Sequence, residues 1–333
     1  MPAGFLEKKM SLFETVRLGS RRAKNRILVP PYHDDIAQKD GRVSHAIYEH
    51  SMRLVREGAG VVVFNSSYVT RQGRATPFQL GIAEEEHLAG LKNLVSHLNT
   101  EGAIAGIRLS HAGAKTSEKV CGEQPISPSS INFGKDFDLS RPFDEDDVEE
   151  LCLFYSHAIE RAEEAGFDFV ELNGAHQQLL DQCLHSRYNN REDRFGGKLE
   201  NRLRLASLLV KAMKERVKSR LMVGYFFSIH DKLEDGFNAN HLKSMIKILE
   251  NAGVDIFHPI TIHVMNKFFD SEETLLEWVS KFTDKHIIVE GNIKSTQVLK
   301  EVLAIDKSTL YGIDKALFAR PNWYQFLQKK IAG

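Results

Sequence analysis

Cysteine is scarce in this chain. Cys121, Cys152 and Cys183 lie about thirty residues apart, with no Cys-x-x-Cys and no Cys/His ligand spacing. A structural zinc, an iron–sulfur cluster and a disulfide scaffold are all excluded, and no metal is expected. Charge of one sign is lacking too. Lys and Arg number 44 against 45 Asp and Glu, a net charge of −1, so no overall field gathers nucleic acid or an anionic membrane. No apolar run approaches the roughly 20 residues that span a bilayer. The opening MPAGFLEKKMSLFETV lacks the basic-then-apolar layout of a signal peptide, which makes a cytoplasmic protein the expectation. The 333 residues are 42% hydrophobic and 27% charged, an ordinary globular balance that argues against long disorder.

Short apolar runs alternate with longer amphipathic stretches. The runs cover residues 26–32, 59–69, 103–111, 167–176, 221–228, 254–262, 286–293 and 308–318. Their Val, Ile and Phe content without strict alternation suits parallel strands buried on both faces. Helical patterning covers 144–165, 201–217, 240–251, 272–281 and 296–303. The first of these carries Val148, Leu151, Leu153, Phe154, Ala158 and Ala162 behind an acidic first turn. Gly58, Gly102, Gly166 and Gly253 stand where helices end before strands. Eight βα units in this length predict a single (β/α)8 TIM barrel over 1–333. A doubly wound open sheet would show a Gly-rich turn after its first strand, and PPYHDD has no glycine. The longest irregular segment, 112–142, follows the third strand and suits a cover over a site.

A barrel builds its site from strand C-terminal ends. Here those ends read Tyr32-His33, Asn65-Ser66-Ser67, Arg108 to His111, Asn173 to His176, Tyr225-Phe226, His258, Gly291-Asn292 and Gly312 to Lys315. Arg, Asn and His deep on strands are costly unless paired, and several converging on one end point to a polar ligand. A lone strand His would read as a satisfied core residue.

The fourth strand and its sequel, ELNGAHQQLLDQCLHSRYNNREDRFGGKLENRLR, resemble the signature of the Old Yellow Enzyme family of FMN-dependent NADH:flavin oxidoreductases and ene-reductases. Asn190, Arg191, Asp193, Phe195, Gly196, Gly197, Leu199, Glu200, Asn201 and Arg202 carry that resemblance, with Asn190 and Arg191 adjacent where the family spaces them. Lys24-Asn25-Arg26, Pro31, Leu109, His111-Ala112-Gly113 and Gly291-Asn292-Ile293 extend it across residues 11–329. The run at 190–202 itself suits a loop and helix start rather than a substrate contact. The resemblance implies FMN, with NADH or NADPH as reductant and hydride passing to an electron-poor alkene or related acceptor. It implies Pro31, Ser66, Arg108, Gly291, Asn292, Gly312 and Lys315 as cofactor residues, and Asn173, His176, Tyr32 and His33 as catalytic ones.

Three departures bear on function. Arg108 replaces the family's flavin-bonding Gln, and Phe226 replaces the Arg that supports charge at flavin N1 and O2. Arg108 is expected to supply that charge from another strand; the alternative is that it pairs with a neighbouring carboxylate and the flavin site has decayed. At the phosphate end the family's Gly-Arg becomes Gly312 followed by Asp314-Lys315, leaving Lys315 as a point charge. Asn173 and His176 replace the usual oxygen-holding pair, two donors in reversed order. Gln178 stands where the family places its proton-donating Tyr, and an amide is no general acid near neutral pH. Tyr32, His33, Tyr68 and Tyr225 are the candidates for that proton. These departures keep two alternatives open: a non-reductive isomerase, cyclase or desaturase, and a non-catalytic ligand-binding relative. A small-molecule substrate is expected, with no nucleic-acid or membrane partner. A homo-oligomer is compatible with the sequence but not readable from it.

Overall fold

The computed structural model describes residues 11–29, 35–217, 221–229 and 236–332. Eight parallel strands close into a barrel, each hydrogen-bonded to the next in the chain and the eighth to the first. They are β1 (Ile27–Val29), β2 (Val61–Tyr68), β3 (Ile104–Ser110), β4 (Phe169–Gly174), β5 (Met222–Ser228), β6 (Ile256–Ile260), β7 (His286–Val289) and β8 (Leu310–Gly312). Around them run α1 (His45–Glu57), α2 (Glu85–Thr100), α3 (Glu145–Ala165) and α4 (Arg204–Arg216). The ring continues with α5 (Ala239–Ala252), α6 (Leu275–Phe282), α7 (Thr296–Ile305) and α8 (Trp323–Ala332). The (β/α)8 TIM barrel expected from the alternation is the fold observed.

Within it the strands are shorter than the apolar runs. The last run splits into β8 and a one-turn helix, Lys315–Phe318, because Asp314 caps the Ala316 amide at 2.9 Å and starts a helix there. Of the first run, Ile27–Val29 form β1, whereas Pro31, Tyr32 and His33 lie outside the described residues.

Helix α3 illustrates how local sequence sets an element. The Asp144 carboxylate accepts the Asp147 N–H at 3.0 Å, and the Asp147 carboxylate accepts the Asp144 N–H at 2.8 Å. This reciprocal cap satisfies amides that a helix start leaves orphaned. At the other end Gly166 takes a left-handed conformation, φ 88°, and closes the last turn. Val148, Leu151, Ala158, Ile159 and Ala162 form the buried stripe. Leu153, read with the core from sequence, is half exposed, because its position falls off that stripe.

The barrel interior has two zones. Its floor is apolar: Leu28, Val61, Val63, Ile104, Phe169, Ile256, Ile288 and Leu310 meet across the axis. A hairpin made of Val16–Leu18 and Arg21–Ala23 plugs this end with Val16, Leu18 and Ala23. Above the floor several inward positions turn polar: Glu171, His258 and Glu290 each come two residues after Phe169, Ile256 and Ile288, and Arg108 comes four after Ile104. The larger core lies between strands and helices and contains Cys183. Cys121 and Cys183 are buried, Cys152 is half-buried, and all three are free thiols.

Candidate active site

Strand register dictates what meets above the floor. Arg108 on β3 is paired in register with Glu171 on β4, and Glu171 in turn with Gly224 on β5. Arg108 Nε and Nη2 both donate to Glu171 Oε2, at 3.0 and 2.9 Å. The other carboxylate oxygen, Oε1, lies 2.7 Å from His258 Nδ1 on β6. His258 Nε2 lies 3.1 Å from Glu290 Oε2, just past β7. Phe226 fills the middle, with the Arg108 guanidinium carbon 3.3 Å from its ring centroid and the His258 ring edge-on at 4.9 Å. Gly224 and Gly312 make room: a Cβ on either would sit 3.1 Å from Cγ of Glu171 or Glu290.

The four groups hold one another ionised. Burial alone would raise the Glu171 pKa, but His258 and Arg108 outweigh it and bring it down to about 2. Burial likewise opposes the charge on His258, and the two glutamates overcome it, so its pKa rises above the ordinary value. Glu290 is lowered from its usual value, the pull of His258 exceeding the effect of burial. Arg108 thus pairs with the Glu171 carboxylate inside the barrel, so the charge expected to support a flavin is engaged there.

Above this quartet a cavity of about 460 Å³ opens at the C-terminal end of the strands. Its polar wall is Lys115, His176, Gln177, Ser228, Thr261 and Asn266, and its apolar wall is Ile229, Ile260, Ile262 and Phe268. His176 and Gln177 both stand in the left-handed region, each at φ 58°. Such backbone strain in non-glycine residues concentrates at functional sites. Burial, then the positive charge of Arg108, lowers the His176 pKa and keeps its ring neutral.

Asn173 stands behind this cavity rather than in its wall. Its amide donates to Ser66 Oγ at 3.3 Å and Ser110 Oγ at 3.4 Å, and its oxygen accepts the Ala175 N–H at 3.2 Å. Ser66 sits at an irregularity in β2, at φ 45°. Gln178 accepts from Ser110 Oγ at 3.0 Å, joining the same chain of polar groups.

Two of the candidate proton donors are placed by the structure elsewhere. Tyr225 alternates outward on β5, and its hydroxyl lies against Gly174 in the layer under the helices. The Tyr68 hydroxyl meets Asp40 O at 3.2 Å and His87 Nε2 at 3.3 Å, outside the cavity wall.

At the other side of the mouth, Gly291 has φ 146° and backs onto Thr261, whose carbonyl oxygen would lie 2.6 Å from a Cβ. Only glycine tolerates both constraints. Asn292, at φ 55°, bonds His263 at 3.0 Å. Gly312 ends β8, and Lys315 is exposed on the short helix that Asp314 caps.

A TIM barrel with its polar cluster at the strand C-termini finds close counterparts. The family model described as NADH:flavin oxidoreductase / NADH oxidase matches residues 11–333. The chain belongs to that family. An NADPH dehydrogenase of Listeria welshimeri is 34% identical over 315 residues, covering 93% of this chain and 92% of that one. An NADH oxidase of Thermoanaerobacter brockii is 28% identical over 329 residues, covering 94% of this chain but 50% of the longer relative. Among solved structures, an Old Yellow Enzyme homologue from Zymomonas mobilis superposes with a TM-score of 0.80 at 20% identity. That match covers 96% of this chain and 93% of the other. The resemblance read from residues 190–202 thus names the right family, and with it FMN-dependent oxidoreduction driven by NADH or NADPH.

The mouth's own chemistry fits a flavin ring. Ser228 Oγ and Thr261 Oγ1, on residues that line the cavity, are buried without a hydrogen-bond partner among the described residues. Orphan hydroxyls of this kind stay costly until a ligand with carbonyl oxygens and ring nitrogens satisfies them. Among the described residues, no helix is long and apolar enough to cross a membrane, and no three side chains form a metal cluster.

Proposed function

We propose that this chain reduces an electron-poor alkene or a related acceptor at the barrel mouth, with His176 holding the acceptor's oxygen. The observation that carries this is the His176 ring lining a 460 Å³ cavity at the strand C-termini, where burial and then Arg108 lower its pKa and favour the neutral form. FMN bound here would supply two-electron chemistry, hydride transfer from NAD(P)H to the acceptor's β-carbon. A neutral imidazole donates one hydrogen bond to the acceptor oxygen, where negative charge grows as hydride arrives. An interaction stronger in that state than in the ground state lowers the barrier. Asn173, tied to Ser66, Ser110 and the Ala175 amide, fixes the turn that presents His176. The α-carbon still needs a proton; Tyr32 and His33, candidates by their strand-end position in the sequence, lie outside the described residues.

Ser66, Arg108, Gly291, Asn292, Gly312 and Lys315 are assigned to the flavin on the pattern of the family. For Arg108 the support is indirect, since its charge is balanced by Glu171. For Lys315 the support is its position at the phosphate end, beside an Asp314 carboxylate that already takes the Ala316 amide. Titrating the apoprotein with FMN and following flavin fluorescence tests the assignment, with saturable quenching expected. A phenol added to the loaded protein should then give a long-wavelength charge-transfer band. His176→Ala should remove most of that band while FMN stays bound. A band of full intensity in the variant would make His176 a structural residue and end this reading of it.

A further inference from the structure

The cavity wall is electrically one-sided. Lys115 is its one cationic side chain, and no carboxylate lines it among the described residues. Neither does Lys115 have a carboxylate within ion-pair distance there; its Nζ makes a long 3.4 Å bond to the His176 carbonyl oxygen, and the Phe133 ring centroid lies 6.0 Å away. The buried glutamates below, Glu171 and Glu290, are engaged with Arg108 and His258. Gln177 and Asn266 add amide side chains to the same wall. An ammonium beside amide donors makes a receptor for an oxyanion. Opposite them, Ile229, Ile260, Ile262 and Phe268 offer only hydrocarbon.

We propose that Lys115 is a specificity residue that selects acceptors carrying a carboxylate on an apolar or aromatic body. This rests on the cavity being the acceptor site, as proposed above, and adds the charge class of what enters it. A single ammonium suits a monoanionic carboxylate better than a phosphate dianion, which would want further cations. Lys115 stands early in the long segment after β3 and bonds the strained His176 turn after β4. A carboxylate bound there would thus sit beside the group that polarises the acceptor oxygen.

The test compares cinnamate with cinnamamide, which share a shape and differ in charge. Dissociation constants are measured by calorimetry on the FMN-loaded protein at pH 7. Wild type should bind the acid at least about tenfold more tightly than the amide. Lys115→Gln should bring the two within about twofold, while Lys115→Arg keeps most of the preference. Lys115→Met serves as a second neutral variant should the Gln form not fold. Equal binding of acid and amide by wild type would overturn the proposal, as would an unchanged ratio in the neutral variants. A loss of FMN affinity, or a KM that rises for NADPH but not NADH, would give the lysine to a cofactor phosphate and also overturn it. Reduction of cinnamaldehyde is followed separately. If wild type shows acid selectivity through Lys115 but no reduction, the reductase reading fails and the recognition reading stands.

Discussion

Glu171 is the residue on which the barrel interior turns. Its two oxygens take Arg108 on one side and His258 on the other, and none of the three is more than 3% exposed. Glu171→Gln removes the anion and leaves two buried cations facing an amide. Breaking a buried pair in this way typically costs about 3–5 kcal/mol, and denaturant unfolding should show a loss of that size. A loss below about 1 kcal/mol, the usual worth of an exposed pair, would mean that water reaches the quartet. The pH dependence follows from the same contacts. Glu171 has its pKa depressed to about 2. Its contribution is present above the ordinary carboxylate value and fades as pH falls from about 4.5 toward 2. His258 is shifted the other way, so its contribution is complete below about 6.5 and is lost as pH rises through its raised value. Melting temperatures of wild type and His258→Asn should therefore converge on the alkaline side. A constant gap from pH 6 upward would show that His258 is not held protonated.

At the level of strands, the site depends on where a side chain is missing. Gly224 on β5 and Gly312 on β8 leave the space that Glu171 and Glu290 cross. Gly224→Ala should press on the Glu171 Cγ, at 3.1 Å, and cost about 1–3 kcal/mol by overpacking. Glu171→Ala removes that Cγ, so the double variant should lose less than the sum of the singles. Additive losses would place the crowding elsewhere. The same geometry explains how much of the site was legible in the chain. The eight strands announce themselves through apolar runs, and Asn190 to Arg202 name the family without touching the chemistry. Arg108 and Phe226 stand out as departures from a pattern, and His258 as a strand-end histidine. Their partners do not stand out. Glu171 lies in the middle of an apolar run, and Glu290 is 119 residues further on. Only barrel closure and the inward alternation of β4 and β6 bring them to one histidine. Lys115 was hidden differently: it lies in an irregular segment where charge is ordinary, and only the cavity gives it meaning.

Over the whole molecule, the apolar floor and its hairpin plug close one end of the barrel, so any ligand enters from the strand C-terminal side. The buried thiols give this architecture a clock. Cys183 is 2% exposed in the layer between strands and helices, and burial raises its pKa far above the ordinary thiol value. Alkylating agents attack the thiolate alone, so Cys183 reacts only in molecules that have opened. Half-buried Cys152 needs far less opening and should be modified first, while Cys183 labels at a rate set by how often the helix layer lifts from the barrel. Saturating FMN should slow that rate if the flavin braces the mouth, because a ligand bound only to the closed form depopulates the open one. Mass spectrometry of iodoacetamide-treated protein, sampled over hours with and without FMN, would read the two cysteines separately. Equal rates at Cys152 and Cys183 would mean that the layer opens all at once or not at all. Two residues that take no part in catalysis would thus time the motions of the barrel that holds it.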